Sequence, residues 1–276
     1  AMTFLQALLL ALLQGVTELF PVSSLGHAVL APAILHWQIN EADPVFLPFL
    51  VALHLVSLLP LLLYFWRDWL GFAAAIAGHG ETVAADRKLF LLLVVGSIPA
   101  AAVGAIFEHV LRAVFATPMI VAAFLVVNGV ILFIAERLRR KRRPTRTIKA
   151  ATLADALLIG FAQATALIPG ISRSGVTIVG GLLRGLNHSD AARFSFLLAT
   201  PIIAGAALLE LPKLLHHDAV TMPLWLITAA ALVAGGTAYL STAFLMRYFK
   251  RHEADALNPY AAYCILAGIT CLIALR

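Results

Sequence analysis

"PVSSLGH", residues 21–27, ends a strongly apolar run and places a proline, two serines, a glycine and a histidine side by side. "PGISRSG", residues 169–175, interrupts a second apolar run in the same way. Lipid offers no partner to a free backbone N–H or C=O. Non-helical chain at membrane depth therefore persists only where protein buries it or where it lines a wet cavity. Whether these two stretches lie inside a membrane decides the fold.

The surrounding composition answers that question. Of 276 residues, 62% are hydrophobic and 12% charged, with a mean hydropathy of +0.94. A soluble domain carries about 25% charged residues, so the composition is that of a polytopic membrane protein. The apolar runs are continuous rather than alternating, which argues for helices and against a β-barrel. The net charge of +6 does not indicate nucleic acid. Eight of the twenty Lys and Arg residues lie in "RLRRKRRPTRTIK" (137–149), and a basic run beside a membrane span is an orientation signal or a contact with anionic lipid.

Segments near 45–66, 88–107, 118–136, 191–210, 222–245 and 257–275 have the roughly 20 apolar residues that a crossing needs. The runs 3–20 and 152–168 are borderline, and each leads through a polar motif into a second short apolar stretch (28–36 and 176–183). Read as hairpins that return to their starting side, they leave six crossings with the 137–149 segment cytoplasmic. Sixteen of the twenty basic residues then lie inside, as the positive-inside rule requires. If 152–168 spanned alone, Arg184 and the cluster Arg247, Lys250 and Arg251 would change sides. Both ends of the chain face outward on this reading. The first apolar run has no basic residues ahead of it and runs directly into the polar motif, which argues against a cleavable signal peptide.

The halves also resemble each other. Thr17, Leu19 and Pro21 align with Thr165, Leu167 and Pro169. With one insertion at Gly170, Val22, Ser23 and Gly26 align with Ile171, Ser172 and Gly175. One hairpin and three crossings in each half make the second half upside down relative to the first, an inverted-repeat plan. The expectation is an all-α polytopic membrane protein of six transmembrane helices and two re-entrant helical hairpins. Repeat 1 covers about 2–136, the basic linker 137–149, and repeat 2 about 150–276.

In that arrangement Pro21 and Pro169 each end a helix, and the serines that follow cap the next. Two helix N-termini with free N–H groups then face each other, and a helix N-terminus favours an anion, phosphate above all. Arg173 adds a planar fork of donors. Gln14 and Glu18, four apart, share a helix face, as do Ser24 and His27, three apart. Carboxylate, hydroxyl, imidazole and guanidinium together suit phosphoryl transfer, and the carboxylate can hold a divalent metal. Other polar residues read as structural: His54 as a packing residue, Glu136 as a partner of the basic segment, "LHHD" (215–218) as a solvated turn. Asn128 and Glu210 have no assigned role. Cys264 and Cys271, seven apart in one apolar run, stand about 10 Å apart along a helix, too far for a disulfide.

"QGVTELFPVSSLGH" (14–27) and "PGISRSG" (169–175) closely resemble the two signature motifs of the undecaprenyl-diphosphate phosphatase family, and "AARFSFLLATPIIAGA" (191–206) is similar to the segment that follows. The resemblance implies six transmembrane helices with two re-entrant hairpins. It implies hydrolysis of undecaprenyl diphosphate to the monophosphate at the outer side of the bacterial inner membrane, which recycles the carrier for cell-wall synthesis and links the family to bacitracin resistance. It also implies a divalent cation, Mg2+ or Ca2+. By position, Glu18 becomes a catalytic or metal-binding carboxylate, and Ser24 and His27 become catalytic residues, either of them the nucleophile. Arg173 clamps the diphosphate, with Gln14, Ser23, Ser172, Ser174, Gly175 and Thr177 lining the pocket. Gln14 stands where many members have Glu, so a second carboxylate ligand is missing here. The expected partners are a polyprenyl diphosphate lipid, membrane lipids and, as an assembly, a homodimer, with no nucleic acid. The rival reading is a polyprenyl-phosphate transporter on the same architecture. The phosphatidic-acid-phosphatase superfamily is excluded, because Val179 stands where its arginine motif needs His and Glu136 where its lysine motif needs Lys.

Overall fold

The computed structural model describes residues 2–37, 46–80, 82–115, 117–140, 146–215 and 223–276. It is helical throughout. Among the described residues the only β pairing is a single bridge between Arg146 and Leu186. In chain order the helices are α1 (Phe4–Thr17), α2 (Ser24–Ile34), α3 (Phe46–Val56), α4 (Leu58–Tyr64), α5 (Trp66–Ile76) and α6 (Val83–Phe115). They continue with α7 (Pro118–Arg140), α8 (Leu153–Thr165), α9 (Arg173–Leu183), α10 (His188–Leu215), α11 (Leu224–Arg251) and α12 (Asn258–Ala274).

The two expected hairpins are present as helix pairs, α1–α2 and α8–α9. Thr3 and Thr152 open α1 and α8 with reciprocal capping boxes to Gln6 and Asp155. Both first helices end four residues before the proline, at Thr17 and Thr165. The second hairpin closes on itself. Asp155, in the first turn of α8, accepts 2.5 Å and 2.7 Å hydrogen bonds from Arg184, just past the end of α9, and from Arg146. The start of α8 and the end of α9 thus lie together. Burial alone would raise the Asp155 carboxyl, but the two guanidinium groups and Thr152 hold it below the ordinary carboxylate range.

The expected crossing at 45–66 is not one straight helix. Pro60 has no N–H to give the preceding turn, and the helix breaks at Ser57, whose hydroxyl bonds back to the Leu53 carbonyl at 3.0 Å. Beyond Tyr64 the chain bends by 79° into α5, "WRDWLGFAAAI", a helix between the expected crossings at 45–66 and 88–107. Among the described residues, three helices are long and apolar enough to cross a membrane: α6 over Val83–Phe107, α7, and α11 over Trp225–Arg251. The bent pair would make a fourth. The motif "LHHD" has its last three residues outside the described residues, and Glu210 lies where only the helical backbone is described.

Packing exchanges the hairpins between the halves. α1 lies mainly against α11, and α8 mainly against α6, while α7 pairs along its length with α12. The backbones come close where small residues meet: Gly160 of α8 lies against the Gly96 carbonyl of α6, where a Cβ would stand 2.4 Å from oxygen. One large apolar cluster joins α7, α9, α10 and α12. A smaller one joins α1, α2, α3 and α11, and Met2 and Trp37, from the two ends of the first hairpin, both pack on it.

Polar contacts gather at the end of the molecule that bears the basic segment. Arg139 bonds Glu253, Arg140 bonds Asp255, and the Ile148 N–H donates to Asp190 at 3.0 Å. Glu136 is buried there, but Arg139 stands 3.9 Å away. Its nearer partners are His188 Nε2, at 3.0 Å, and the backbone N–H groups of Asp255 and Leu257, so it ties α7 to α10 and to the 252–257 turn rather than mainly to the basic segment. Cys264 and Cys271 are free and buried.

Candidate active site

The tips of the two hairpins touch. Gly26 lies against the Gly170 backbone, with a would-be Cβ 3.2 Å from the Gly170 Cα. Gly170 has φ +97°, and a Cβ there would fall 2.4 Å from the Val121 carbonyl, so both its conformation and its closeness to α7 demand glycine. The Ser172 and Ser174 hydroxyls donate to the Phe20 carbonyl at 3.3 Å and 3.0 Å. Asn128, fully buried in α7, joins the same two loops. Its Nδ2 donates to the Pro21 carbonyl at 3.0 Å, and its Oδ1 accepts from the Ser172 N–H at 2.9 Å.

Each motif then starts a helix. Ser23 and Ser172 are the N-caps, accepting from Gly26 and Gly175 at 3.2 Å and 3.1 Å. Ser23 does so with φ +70° and ψ 94°, a conformation that L residues rarely adopt and that persists when its surroundings dictate it. The N-terminal turns of α2 and α9 both reach one cavity of about 290 Å³. Its polar part is Glu18, Ser23, Ser24, His54, Gln163, Ser172 and Arg173; its walls are Leu55, Ala100, Leu167, Ile202, Ile203 and other apolar residues of α2, α10 and the loop between α8 and α9.

Glu18 is the hub. One carboxylate oxygen accepts from Ser24 Oγ and from Gln14 Nε2, each at 2.7 Å, and stands 3.5 Å from His54 Nε2. The other accepts from Arg173 at 2.9 Å. A carboxylate buried this deeply needs such partners. Two come from the first motif and one from the second, so the two stretches form a single site.

The sequence-predicted residues divide accordingly. Glu18, Ser23, Ser24, Ser172 and Arg173 line the cavity, and Gln14 stands behind Glu18. Ser174, Gly175 and Thr177 do not line it. Thr177 Oγ1 bonds the Arg173 carbonyl at 2.7 Å and Ser195 at 2.6 Å, so these residues fix the turn that carries Arg173. His27 shares a helix with Ser24 but turns elsewhere. Its ring lies 2.7 Å from the Ser23 carbonyl and 2.7 Å from the Tyr263 hydroxyl, stacked on the tyrosine of α12. Three residues three or four apart face alike only within one helix, and Ser24 sits at the first position of α2, where the chain is still turning.

Three residues of the site were missed. His54, read as packing, lies on Glu18. Asn128 and Gln163 were given no part in the site. Each is a lone polar side chain in an apolar run, and that isolation was the available signal: a polar group inside a membrane must have a partner.

The residues present fit a divalent cation. Gln14 Oε1 is buried, has no hydrogen-bond partner among the described residues and belongs to the side chain whose amide touches Glu18. Carboxylate and amide oxygens are ligands for Mg2+ and Ca2+, which commonly complete their shells with water and substrate phosphate. Among the described residues no three His, Cys, Asp or Glu side chains stand together as a cation cage.

Comparison with known proteins places this geometry in a family. The model of the family described as bacitracin resistance protein BacA matches residues 7–270. An undecaprenyl-diphosphatase of Acidiphilium cryptum is 55% identical over 99% of this chain and 98% of its own. Those of Granulibacter bethesdensis and Gluconobacter oxydans are 51% and 48% identical, over 99% and 97% of this chain and 97% of each of theirs. The chain belongs to the BacA bacitracin-resistance family.

Proposed function

We propose that the protein hydrolyses undecaprenyl diphosphate to undecaprenyl phosphate and inorganic phosphate, with the Glu18–Ser24–Arg173 cluster as its catalytic centre. The observation that carries the assignment of the centre is the one carboxylate shared by a hydroxyl, an amide and a guanidinium where two helix N-termini meet. The family and the names of its relatives support the reaction.

The site suits a lipid diphosphate. Its polar floor takes the head group, and the apolar side chains of α3, α6, α10 and the loop after α8 take the first part of a prenyl chain. Arg173 and the N–H groups of the two helix ends bind phosphoryl oxygens, the diphosphate displacing Glu18 from the guanidinium. Ser24 Oγ, 2.7 Å from Glu18, attacks the terminal phosphorus while its proton passes to the carboxylate. The bond from that phosphorus to the bridging oxygen breaks, Glu18 gives the proton to that oxygen, and the lipid monophosphate leaves. Water then attacks the phosphoserine, Glu18 takes the water's proton and passes it to Ser24 Oγ, and inorganic phosphate departs with Ser24 restored. His27 holds the Ser23 carbonyl and so the turn that aims Ser24. A divalent cation at Glu18 and Gln14 Oε1 would neutralise charge on the diphosphate and polarise its phosphoryl oxygens.

The same reading places six crossings and two re-entrant hairpins in the bacterial inner membrane as inverted repeats. The Asp155–Arg184 closure and the exchanged packing of α1 and α8 support it. The polar end with Arg139, Arg146 and Arg184 then lies in the cytoplasm, and the site opens to the periplasmic side.

Phosphate release from undecaprenyl diphosphate by the purified protein in detergent tests the proposal. Glu18→Gln and Arg173→Ala should each lower kcat/KM at least about 1,000-fold, the scale of losing charge stabilisation at a phosphoryl centre, with folding intact by thermal shift. Chelation should abolish turnover and Mg2+ or Ca2+ restore it. Undiminished hydrolysis by either folded variant would remove that residue from the centre.

A further inference from the structure

Gln163 sits on the buried stripe of α8, after Ala156, Ile159 and Gly160, the small and apolar residues that let this helix pack closely on its neighbours. An apolar side chain would complete the stripe. Instead an amide stands there, 2% exposed, in the wall of the cavity that holds Glu18 and Arg173. Among the described residues neither its nitrogen nor its oxygen has a hydrogen-bond partner. Burying an amide without partners is unfavourable, so the residue makes sense where something that enters the cavity supplies them.

The first hairpin shows what such an amide does. On α1 the stripe Ala7, Leu10, Ala11 leads to Gln14 at the same spacing as Ala156, Ile159, Gly160 leads to Gln163. Gln14 gives its N–H to Glu18. In the second hairpin Ala166 and Leu167 follow where that carboxylate would fall. Gln163 thus keeps the donor but lacks the anion. A phosphoryl oxygen in the cavity replaces it.

We infer that Gln163 is a substrate-contacting residue, its side-chain N–H donating to a phosphoryl oxygen of the diphosphate from the wall of the cavity. The inference rests on the catalytic centre proposed above. A neutral amide there adds a hydrogen bond without a further charge, and it leaves Oε1 to accept from a bound water.

The test replaces Gln163 by Met or Leu, close in volume and without donors, and measures thermal stability, kinetics and inhibition by inorganic phosphate in the detergent-purified protein. Removing a partnerless buried amide should leave the melting temperature unchanged or raise it. The kcat/KM should fall about 10-fold, the equivalent of one hydrogen bond, and inhibition by phosphate should weaken by a similar factor. Gln163→Glu, which sets a carboxylate against the anion, should lose more. A folded Gln163→Met or Gln163→Leu protein with kcat/KM and phosphate inhibition within twofold of the parent would overturn the inference, and the site reading would stand if Glu18→Gln and Arg173→Ala are still inactive. If those two folded variants also work normally, the centre itself is misplaced and the inference falls with it.

Discussion

Asn128 contributes one amide to two loops that are about 150 residues apart in the chain, bonding the Pro21 carbonyl and the Ser172 N–H at once. Asn128→Ala leaves the Ser172 N–H unpaired and the Pro21 carbonyl with only a weak contact from Cys264 Sγ, a cost of about 1–3 kcal/mol each. The melting temperature should fall by roughly 5–15 °C, and phosphate release should fall more steeply than the folded fraction. His54→Ala removes the imidazole 3.5 Å from Glu18, so it should reduce kcat/KM about tenfold, equivalent to about 1.4 kcal/mol. A His54→Ala enzyme with parental kinetics would return His54 to the packing role first assigned to it. Glu18, Ser24 and Arg173 were legible in the sequence because charges and hydroxyls clustered beside helix-breaking prolines have few uses in lipid. Asn128, His54 and Gln163 were not, because each stands alone in its helix and acquires its role only when another helix arrives.

At the scale of elements, the hairpin α8–α9 depends on the clasp of Asp155 with Arg146 and Arg184. The folded Asp155 carboxyl titrates below its ordinary value of 3.8. Its contribution to stability is therefore complete at neutral pH and is lost as pH falls below about 4, when the unfolded state takes up the proton first. Melting temperature against pH should show this decline in the parent and a shallower one in Asp155→Asn, which should also be less stable at pH 7. A parallel pair of curves would dismiss the clasp. The hairpins themselves were readable from proline, serine and short apolar runs. The break at Ser57 and the helix α5 were not, because Pro60 acts on the turn before it and "WRDWLG" carries no pattern that distinguishes a helix from a loop.

For the whole molecule, the proposed sidedness rests on where charge collects. With Cys264 and Cys271 replaced by Ala, a cysteine at Lys149 should resist a membrane-impermeant maleimide in intact cells, and one at Arg276 should react; the opposite pattern would invert the topology. The proposed inverted plan rests on the alignment of the two motifs and on the basic segment. The exchange of hairpins was invisible, since no local pattern says that α1 will lie on α11 and α8 on α6. That exchange bears on synthesis. α1 ends at Thr17 and α11 begins at Leu224, so at a translation rate of about 5–20 residues per second the first hairpin waits roughly 10–40 s for its main neighbour. During that interval the newborn chain holds Glu18 and a broken helix in the bilayer without their final company. A ribosome stalled before residue 224 would leave a fragment for quality-control proteases to clear, whereas the two halves made together as separate polypeptides could still find each other.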